Sequence, residues 1–158
     1  MNKFQPAGTL KTINGSILSP HNAGLRFVLN TINLSGKPEG SPLMTTFDKK
    51  WRKVREEVKG YYATRTGAYK LGAVLSTAVQ SDTWVVHMLC QNENLELDSS
   101  SLETCLKKVA ENAKYEKASV HISENLLKEF PELRGLISSH LLEAGVPVYL
   151  YAQEEVTN

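Results

Sequence analysis

Residues 27–47 place an apolar strand, a loop rich in glycine and proline and the beginning of a helix in direct succession, and this order restricts the possible folds. The strand is mostly apolar and rich in β-branched residues, as is typical of a central strand covered on both faces. It ends in two amides, Asn30 and Asn33, and the loop that follows contains Gly36 and Gly40. Glycine lets backbone N–H groups approach a ligand closely, and a helix N-terminus adds unpaired donors and a positive dipole end. The segment therefore predicts an α/β fold with a site for a polar ligand, such as a phosphorylated one.

Strands and helices alternate along the rest of the chain. Hydrophobic patterning predicts strands at 9–13, 25–32, 71–79, 83–90, 118–122 and 146–151. The predicted helices are 45–59 with a stop at Gly60, about 100–114 after a capping box that starts at Ser100, and 133–144 before Gly145. This alternation predicts a three-layer α/β/α sandwich with a mixed central sheet. We expect a single domain over residues 1–158, with a core at about 8–152 and a polar tail at 153–158.

The composition argues against several classes of function. A net charge of +1 in 158 residues gives no reason to expect nucleic acid as a partner, and the basic run 49–55 is typical of a solvated helix face. No apolar run can span a bilayer, and the N-terminal residues lack the apolar region of a signal peptide. We therefore expect a cytoplasmic protein without membrane contact, a monomer or weak homo-oligomer, in which Cys90 and Cys105 are reduced. The four histidines have no metal-ligand spacing, so neither a metal nor a cofactor is expected.

Ligands of α/β folds bind where the carboxyl ends of strands meet loops and helix starts. Three segments qualify in this chain: 14–19, 30–41 and 123–130. The first has a competing interpretation, because Asn14-Gly15 is also a strong signal for a β-hairpin. Segment 61–69 is rich in tyrosine and either covers a ligand or packs its own tyrosines against the surface.

The order of these elements resembles the macrodomain family of ADP-ribose-binding modules over about residues 8–152. Asn14-Gly15-Ser16-Ile17-Leu18 stands where that family has Gly-Asp-Ile, and Leu29-Asn30-Thr31-Ile32-Asn33 stands for its Val-Asn-Ala-X-Asn strand. Residues 36–41 stand for its first Gly-rich loop, which precedes an amphipathic helix. Among subgroups, the chain is most similar to the one that contains the terminal ADP-ribose protein glycohydrolase and the macrodomains of large viruses and bacteriophages.

The resemblance implies a ligand site with three departures from the family pattern. The residues implied to contact the ligand are Ser16, Ile17, Asn30, Asn33, Gly36, Lys37, Gly40, Ser41, Gln91, Ser123, Glu124 and Asn125. Ser16 replaces the family's Asp at the adenine amino group, and Gln91 stands where the glycohydrolase subgroup has a lysine that attacks the ribose. The second Gly-rich loop is replaced by residues 123–131, which contain no glycine.

Three functions follow from the resemblance and its departures. The first is a binding module for ADP-ribose or a related NAD-derived nucleotide, which in a virus or phage would sequester a nucleotide signal in the host cytoplasm. The second is a hydrolase that removes ADP-ribose from a macromolecule or dephosphorylates ADP-ribose 1″-phosphate, with Asn33 positioning the ribose and Glu39 or Glu129 as general base. The third is a degenerate domain that binds a protein, because the altered second loop can close the pocket.

Overall fold

The computed structural model describes residues 8–64 and 67–152; the predicted polar tail at 153–158 lies outside them, as do residues 65 and 66 of segment 61–69. The strands within these ranges are β1 (Leu10–Ile13), β2 (Arg26–Asn33), β3 (Val74–Gln80), β4 (Thr83–Gln91), β5 (Ser119–Ser123) and β6 (Val148–Tyr151). The helices are α1 (Met44–Asp48), α2 (Lys53–Thr64), α3 (Ser99–Glu116), α4 (Glu124–Glu129) and α5 (Leu133–Leu136). A 3₁₀ turn at Pro38–Gly40 precedes α1, and a π-helical turn at Ile137–Leu142 continues α5.

The strands form one sheet in the order β1-β6-β5-β2-β4-β3. Neighbours pair in parallel except β3 and β4, which are antiparallel, so the sheet is mixed. The central strand β2 is buried along its length apart from Arg26, as its apolar sequence predicted. It runs beside β4 until Asn33 pairs with Gln91. Five parallel strands therefore end at one side of the sheet, which we call the carboxyl edge.

Helices cover both faces of this sheet. On one face, the ring of Tyr61 in α2 meets the ring of His87 in β4 edge-on, with centroids 6.4 Å apart. On the other face, Val86 of β4 and Asn112 of α3 line the same groove. Successive strand residues point to opposite faces, so α2 and α3 lie on opposite sides of the sheet. The predicted three-layer α/β/α sandwich with a mixed central sheet is confirmed.

The single helix predicted at 45–59 is wrong, because the structure divides it into α1 and α2. The chain tightens after α1, where the N–H groups of Lys49 and Lys50 donate to the backbone oxygens of Thr46 and Phe47, three residues earlier, each at 3.1 Å. The predicted stop at Gly60 is also wrong, since α2 continues for one more turn. Beyond the glycine, the Tyr61 hydroxyl donates to a backbone oxygen of β3 at 2.8 Å. This tertiary contact favours a helix that continues through a residue of poor helix propensity.

Three local features also differ from the sequence-based expectations. Asn14-Gly15 does not begin a hairpin, because β1 pairs in parallel with β6. The cap of α3 is Asp98 rather than the predicted capping box. Segment 123–130, which stands where a second Gly-rich loop was expected, forms α4 directly after β5. The sequence contains the signal for this helix, because the Ser123 hydroxyl accepts from the N–H of Asn125 at 3.1 Å as an N-cap.

Candidate functional site

The carboxyl edge brings together polar residues from three neighbouring strands. β2 ends at Asn33, β4 at Gln91 and β5 at Ser123, and all three residues are buried. The strand order places the end of β1, at Ile13, three strand spacings from β2, which is about 14 Å. A ligand that contacts both the loop after β1 and the loop after β2 must therefore be elongated.

Asn33 holds the shape of the Gly-rich loop that follows it. Its Oδ1 accepts hydrogen bonds from the backbone N–H and the hydroxyl of Ser35, at 2.9 and 2.6 Å. Its Nδ2 donates to the backbone oxygen of Lys37 at 3.4 Å, and the N–H of Lys37 donates to the Ser35 hydroxyl at 3.0 Å. Asn33 is thus part of the loop's own hydrogen bonding, with one Nδ2 hydrogen left for a ligand.

Two tyrosines of segment 61–69 pack behind this loop. Tyr62 lies against Gly36, whose φ is +83° and whose Cβ, if present, would be 2.5 Å from the ring. Tyr69 meets Tyr62 edge to face with centroids 5.9 Å apart, and its hydroxyl donates to the backbone oxygen of Asn33 at 2.7 Å. Burial raises the pKa of Tyr69 to about 12, so the hydroxyl remains a donor at neutral pH. The cavity between the loop and the tyrosines is about 10 Å³, enough for one water molecule.

Three backbone N–H groups of the Gly-rich loop, those of Lys37, Gly40 and Ser41, are engaged in hydrogen bonds within residues 35–41. The N–H groups of Gly40 and Ser41 close the 3₁₀ turn by donating to the backbone oxygens of Lys37 and Pro38, at 2.9 and 3.0 Å. A ligand that used these N–H groups would have to rearrange the turn. The Ser41 side chain is different, because its buried hydroxyl has no hydrogen-bond partner among the described residues.

The turn after β4 faces the Gly-rich loop. Gln91 donates from Nε2 to the backbone oxygen of Leu95 at 3.0 Å, whereas its buried Oε1 has no partner within residues 8–64 and 67–152. The Asn92 side chain holds the turn by accepting from two of its backbone N–H groups, at 2.8 and 3.0 Å. Leu95 has a φ of +65°, which costs a non-glycine residue on the order of 1 kcal/mol. Its side chain touches Gly40, where a Cβ would lie 2.7 Å from Leu95 Cδ2.

Leu95 is the site residue that sequence reasoning missed. It is one of two leucines, with Leu97, in the otherwise polar stretch 92–98, and the residue is 41% exposed. An exposed apolar residue in an otherwise polar turn is the signal that could have identified it. Only the fold shows that this turn lies against Gly40.

The two candidate bases lie at the surface on separate segments. Glu39 has a side chain that is 63% exposed and pairs with Arg55 at 3.5 Å, and Arg55 also bonds Asp48 at 2.7 Å. Glu129 is exposed in the last turn of α4. Lys37, the candidate partner for a phosphate, is exposed on the Gly-rich loop. The charges of this region therefore face solvent rather than a buried reaction centre.

Asn30 lies inside β2 rather than at its end, and it is fully buried. Its Nδ2 donates to Nδ1 of His87 at 2.9 Å, so the His87 proton is on Nε2, which donates to the Thr77 hydroxyl at 2.9 Å. Burial lowers the pKa of His87 to about 3, and the ring is neutral at physiological pH. Asn30 thus links the three strands β2, β4 and β3, and its ligand contact stays a prediction.

A second buried histidine connects the loop after β1 to the sheet. Nδ1 and Nε2 of His121 lie 2.7 Å from the hydroxyls of Tyr151 and Ser119, respectively. The Tyr151 hydroxyl also accepts from the N–H of His21 at 2.8 Å. Burial lowers the pKa of His121 to about 3, and the positive charge of Arg26 acts in the same direction.

The remaining predicted contact residues lie in the other two segments of the carboxyl edge. Ile17 is 3% exposed and belongs to the core, whereas the Ser16 hydroxyl accepts from the N–H of Leu18 at 3.0 Å. Lys50 ties this loop to the helical layer by donating to the Leu18 backbone oxygen at 2.6 Å. Residues 123–125 form the cap and first turn of α4. Ligand contacts by these residues stay predictions.

The donors and acceptors at the carboxyl edge are mainly amides, hydroxyls and backbone groups. In the part of the chain that the structure describes, no three His, Cys, Asp or Glu side chains are grouped so that they could hold a metal ion. No helix in the same ranges is long and apolar enough to cross a membrane. Such a donor set suits a polar organic ligand.

Comparisons with known proteins give matches at the level of structure. No protein-family model matches the chain, and no curated protein sequence matches it. The macrodomain protein from Streptomyces coelicolor has a TM-score of 0.83 at 23% identity, over 92% of this chain and 100% of that one. A protein of unknown function from Bacteroides thetaiotaomicron has a TM-score of 0.80 at 22% identity, over 92% and 98% of the two chains. The macrodomain of Thermus aquaticus DarG has a TM-score of 0.67 at 17% identity, over 92% and 99%. At these identities the similarity establishes the fold, and the chain has the fold of macrodomain proteins.

Proposed function

We propose that this chain binds ADP-ribose or a related nucleotide at the carboxyl edge of its sheet. The observation that carries the proposal is the meeting of Asn33, Gln91 and the Gly-rich loop 36–41 at that edge, in a chain with the fold of macrodomain proteins. Fold alone does not assign function, so the residues at the edge are the necessary second argument.

The shape of the edge supports an elongated ligand. The loops after β1 and β2 are separated by about three strand spacings, or 14 Å. A nucleotide with two sugars joined by a diphosphate spans such a distance, and its charge suits the exposed Lys37 on the loop after β2. In the state described here the loop is bonded to itself, so we expect binding to be coupled to a rearrangement of residues 34–41.

The residues at the site favour binding of the nucleotide without its turnover. By the resemblance to the glycohydrolase subgroup, Gln91 stands where catalysis through a covalent ribose adduct would require a lysine, and an amide is not a nucleophile of that kind. Glu39 is held at the surface by Arg55. We therefore favour a nucleotide-binding module over a hydrolase. The same proposal includes sequestration of a nucleotide signal, as in a viral or phage protein. The identity of the bound nucleotide tests this part.

A thermal-shift and calorimetric titration with ADP-ribose, ADP-ribose 1″-phosphate and NAD tests the proposal. A ligand at about 100 times its Kd stabilises the folded chain by about 2.7 kcal/mol, which moves the melting temperature by several degrees. We expect this shift with at least one nucleotide. No heat and no shift with any of the three would refute nucleotide binding and favour a protein-binding role.

A matched pair of charge variants locates the site. Asn33→Asp retains the acceptor that holds Ser35 but places a negative charge beside the nucleotide, so it should weaken binding at least about tenfold. Asn112→Asp makes the same change on exposed α3 and should leave the affinity unaltered. Chromatography of the nucleotides after incubation then separates a binder from a hydrolase, because only a hydrolase changes them.

A further inference from the structure

Four buried side-chain oxygens have no hydrogen-bond partner among the described residues; two of them, on Asn30 and Thr31, lie inside β2, and the other two lie in the segments that meet at Gly40 and Leu95. They are Oγ of Ser41 and Oε1 of Gln91, in residues that are 4% and 3% exposed. No described residue forms a hydrogen bond with either atom. Because buried polar side-chain atoms nearly always have a partner, this pair marks a place for a polar group from outside the chain.

The chemistry of the unpaired Gln91 atom is determined by its neighbour. The backbone oxygen of Leu95 can only accept, and it lies 3.0 Å from one end of the Gln91 amide, so that end is Nε2. The other end is therefore the oxygen, which needs a donor. The Ser41 hydroxyl can donate or accept.

We infer that Gln91 and Ser41 form a subsite for an uncharged hydroxyl of the ligand, of the kind found on a sugar, and not for a phosphate. A hydroxyl can donate to Gln91 Oε1 and accept from Ser41. An ionised phosphate offers only acceptors, so it leaves Oε1 unpaired and brings negative charge towards it. This inference rests on the proposed nucleotide site and adds which terminal group of the nucleotide that site accepts.

Leu95 controls access to this subsite. Its side chain covers Gly40, the residue before Ser41, while its backbone oxygen is held by Gln91. Leu95 is 41% exposed, so its side chain has room to turn towards solvent. Once moved, it offers an apolar surface against which a sugar ring can pack.

Calorimetric titration of the full chain with ADP-ribose and with ADP-ribose 1″-phosphate tests the inference, because the second compound carries a phosphate in place of one terminal hydroxyl. We expect ADP-ribose to bind at least about tenfold more tightly. Gln91→Met, similar in length but without the acceptor, should bring the two affinities within about threefold of each other. Glu93→Ala, exposed in the same turn, should retain the preference because it leaves both oxygens and Leu95 in place.

The outcomes separate this inference from the proposed function. Equal affinity of the native chain for the two compounds, or a preference that Gln91→Met leaves unchanged, would overturn the inference while nucleotide binding stands. If neither compound binds, the inference fails, and the proposed function fails with it when NAD does not bind either. If Gln91→Met no longer melts cooperatively, Ser41→Ala is measured in its place. Ser41→Ala removes the other unpaired oxygen and is expected to weaken ADP-ribose binding severalfold.

Discussion

Replacing Gly36 by alanine is expected to destabilise the protein strongly, because this glycine meets two independent constraints. Its φ is +83°, in the left-handed region that L-residues with a Cβ rarely adopt. A Cβ at this position would lie 2.5 and 2.6 Å from two ring atoms of Tyr62. The ring cannot withdraw easily, since it packs edge to face against Tyr69.

The expected magnitude can be separated into these two contributions. The left-handed conformation costs alanine about 1–2 kcal/mol. Displacing a packed ring adds about 1–3 kcal/mol, as overpacking commonly does. Gly36→Ala should therefore lower the free energy of unfolding by about 2–5 kcal/mol. Gly24 provides the matched control, because its φ is +88° and nothing lies within 4 Å of a Cβ built there. Gly24→Ala should show only the backbone cost of about 1–2 kcal/mol.

Urea unfolding of the two variants, together with a double-mutant cycle, measures each contribution. In a Tyr62→Ala background the ring is absent, so Gly36→Ala should cost no more than Gly24→Ala does. The difference between the two backgrounds is the steric contribution. If Gly36→Ala and Gly24→Ala were equally destabilising in the native background, the contact between Gly36 and Tyr62 would not hold the loop, and the reasoning would be refuted.

Three further predictions concern buried and edge groups. His87 and His121 have pKa values of about 3 in the folded state against an ordinary 6.5, so the folded chain binds fewer protons than the unfolded one. The free energy of unfolding should therefore be highest above about pH 6.5 and fall as the pH drops towards 3, by about 2 kcal/mol per histidine at pH 5. Urea melts at pH 7.5 and pH 5 measure this fall, and an unchanged slope for His87→Gln would contradict the assignment. Lys53 Nζ donates to the backbone oxygen of Ala78 on the edge strand β3 at 2.7 Å, so Lys53→Ala should increase self-association in sedimentation velocity, and a strictly monomeric variant at high concentration would contradict this. Burial raises the pKa of the Cys105 thiol to about 11, so we expect no reaction with Ellman's reagent in the native chain at pH 8 and complete reaction in urea.

The layers and most strands could be predicted from the sequence because they depend on local patterning. The apolar run of β2 and the alternation of strands with helices both identify a covered, mixed sheet. The breaks in the helices could not be predicted in the same way. Nothing local at Gly60 indicates that Tyr61 will reach β3 and favour one more helical turn. The helix α4 is a different case, because its Ser123 cap is present in the sequence.

The candidate site could be predicted only in part, because the sequence gives the chemical type of each residue but not what surrounds it in the fold. Asn33 was identified from its polarity at a strand end, whereas Ser41 and Gln91 were identified through the resemblance to the macrodomain family, and the structure brings all three to one edge. Asn30 has the same chemistry and the same local sequence, yet it faces His87 inside the sheet. The period of two along a strand turns alternate residues to opposite faces, and the sequence does not say which face holds the ligand.

The sequence by itself determined the α/β architecture, the polar ends of its strands and the positions of its Gly-rich loop, because each depends on residues within a few positions of one another. Only the tertiary structure decided that Leu95 covers Gly40, that Tyr62 packs behind Gly36 and that Ser41 Oγ and Gln91 Oε1 have no partner among the described residues. These contacts join segments more than twenty residues apart along the chain. They exist because parallel strands end at one edge of the sheet, where loops distant in sequence are forced to pack together.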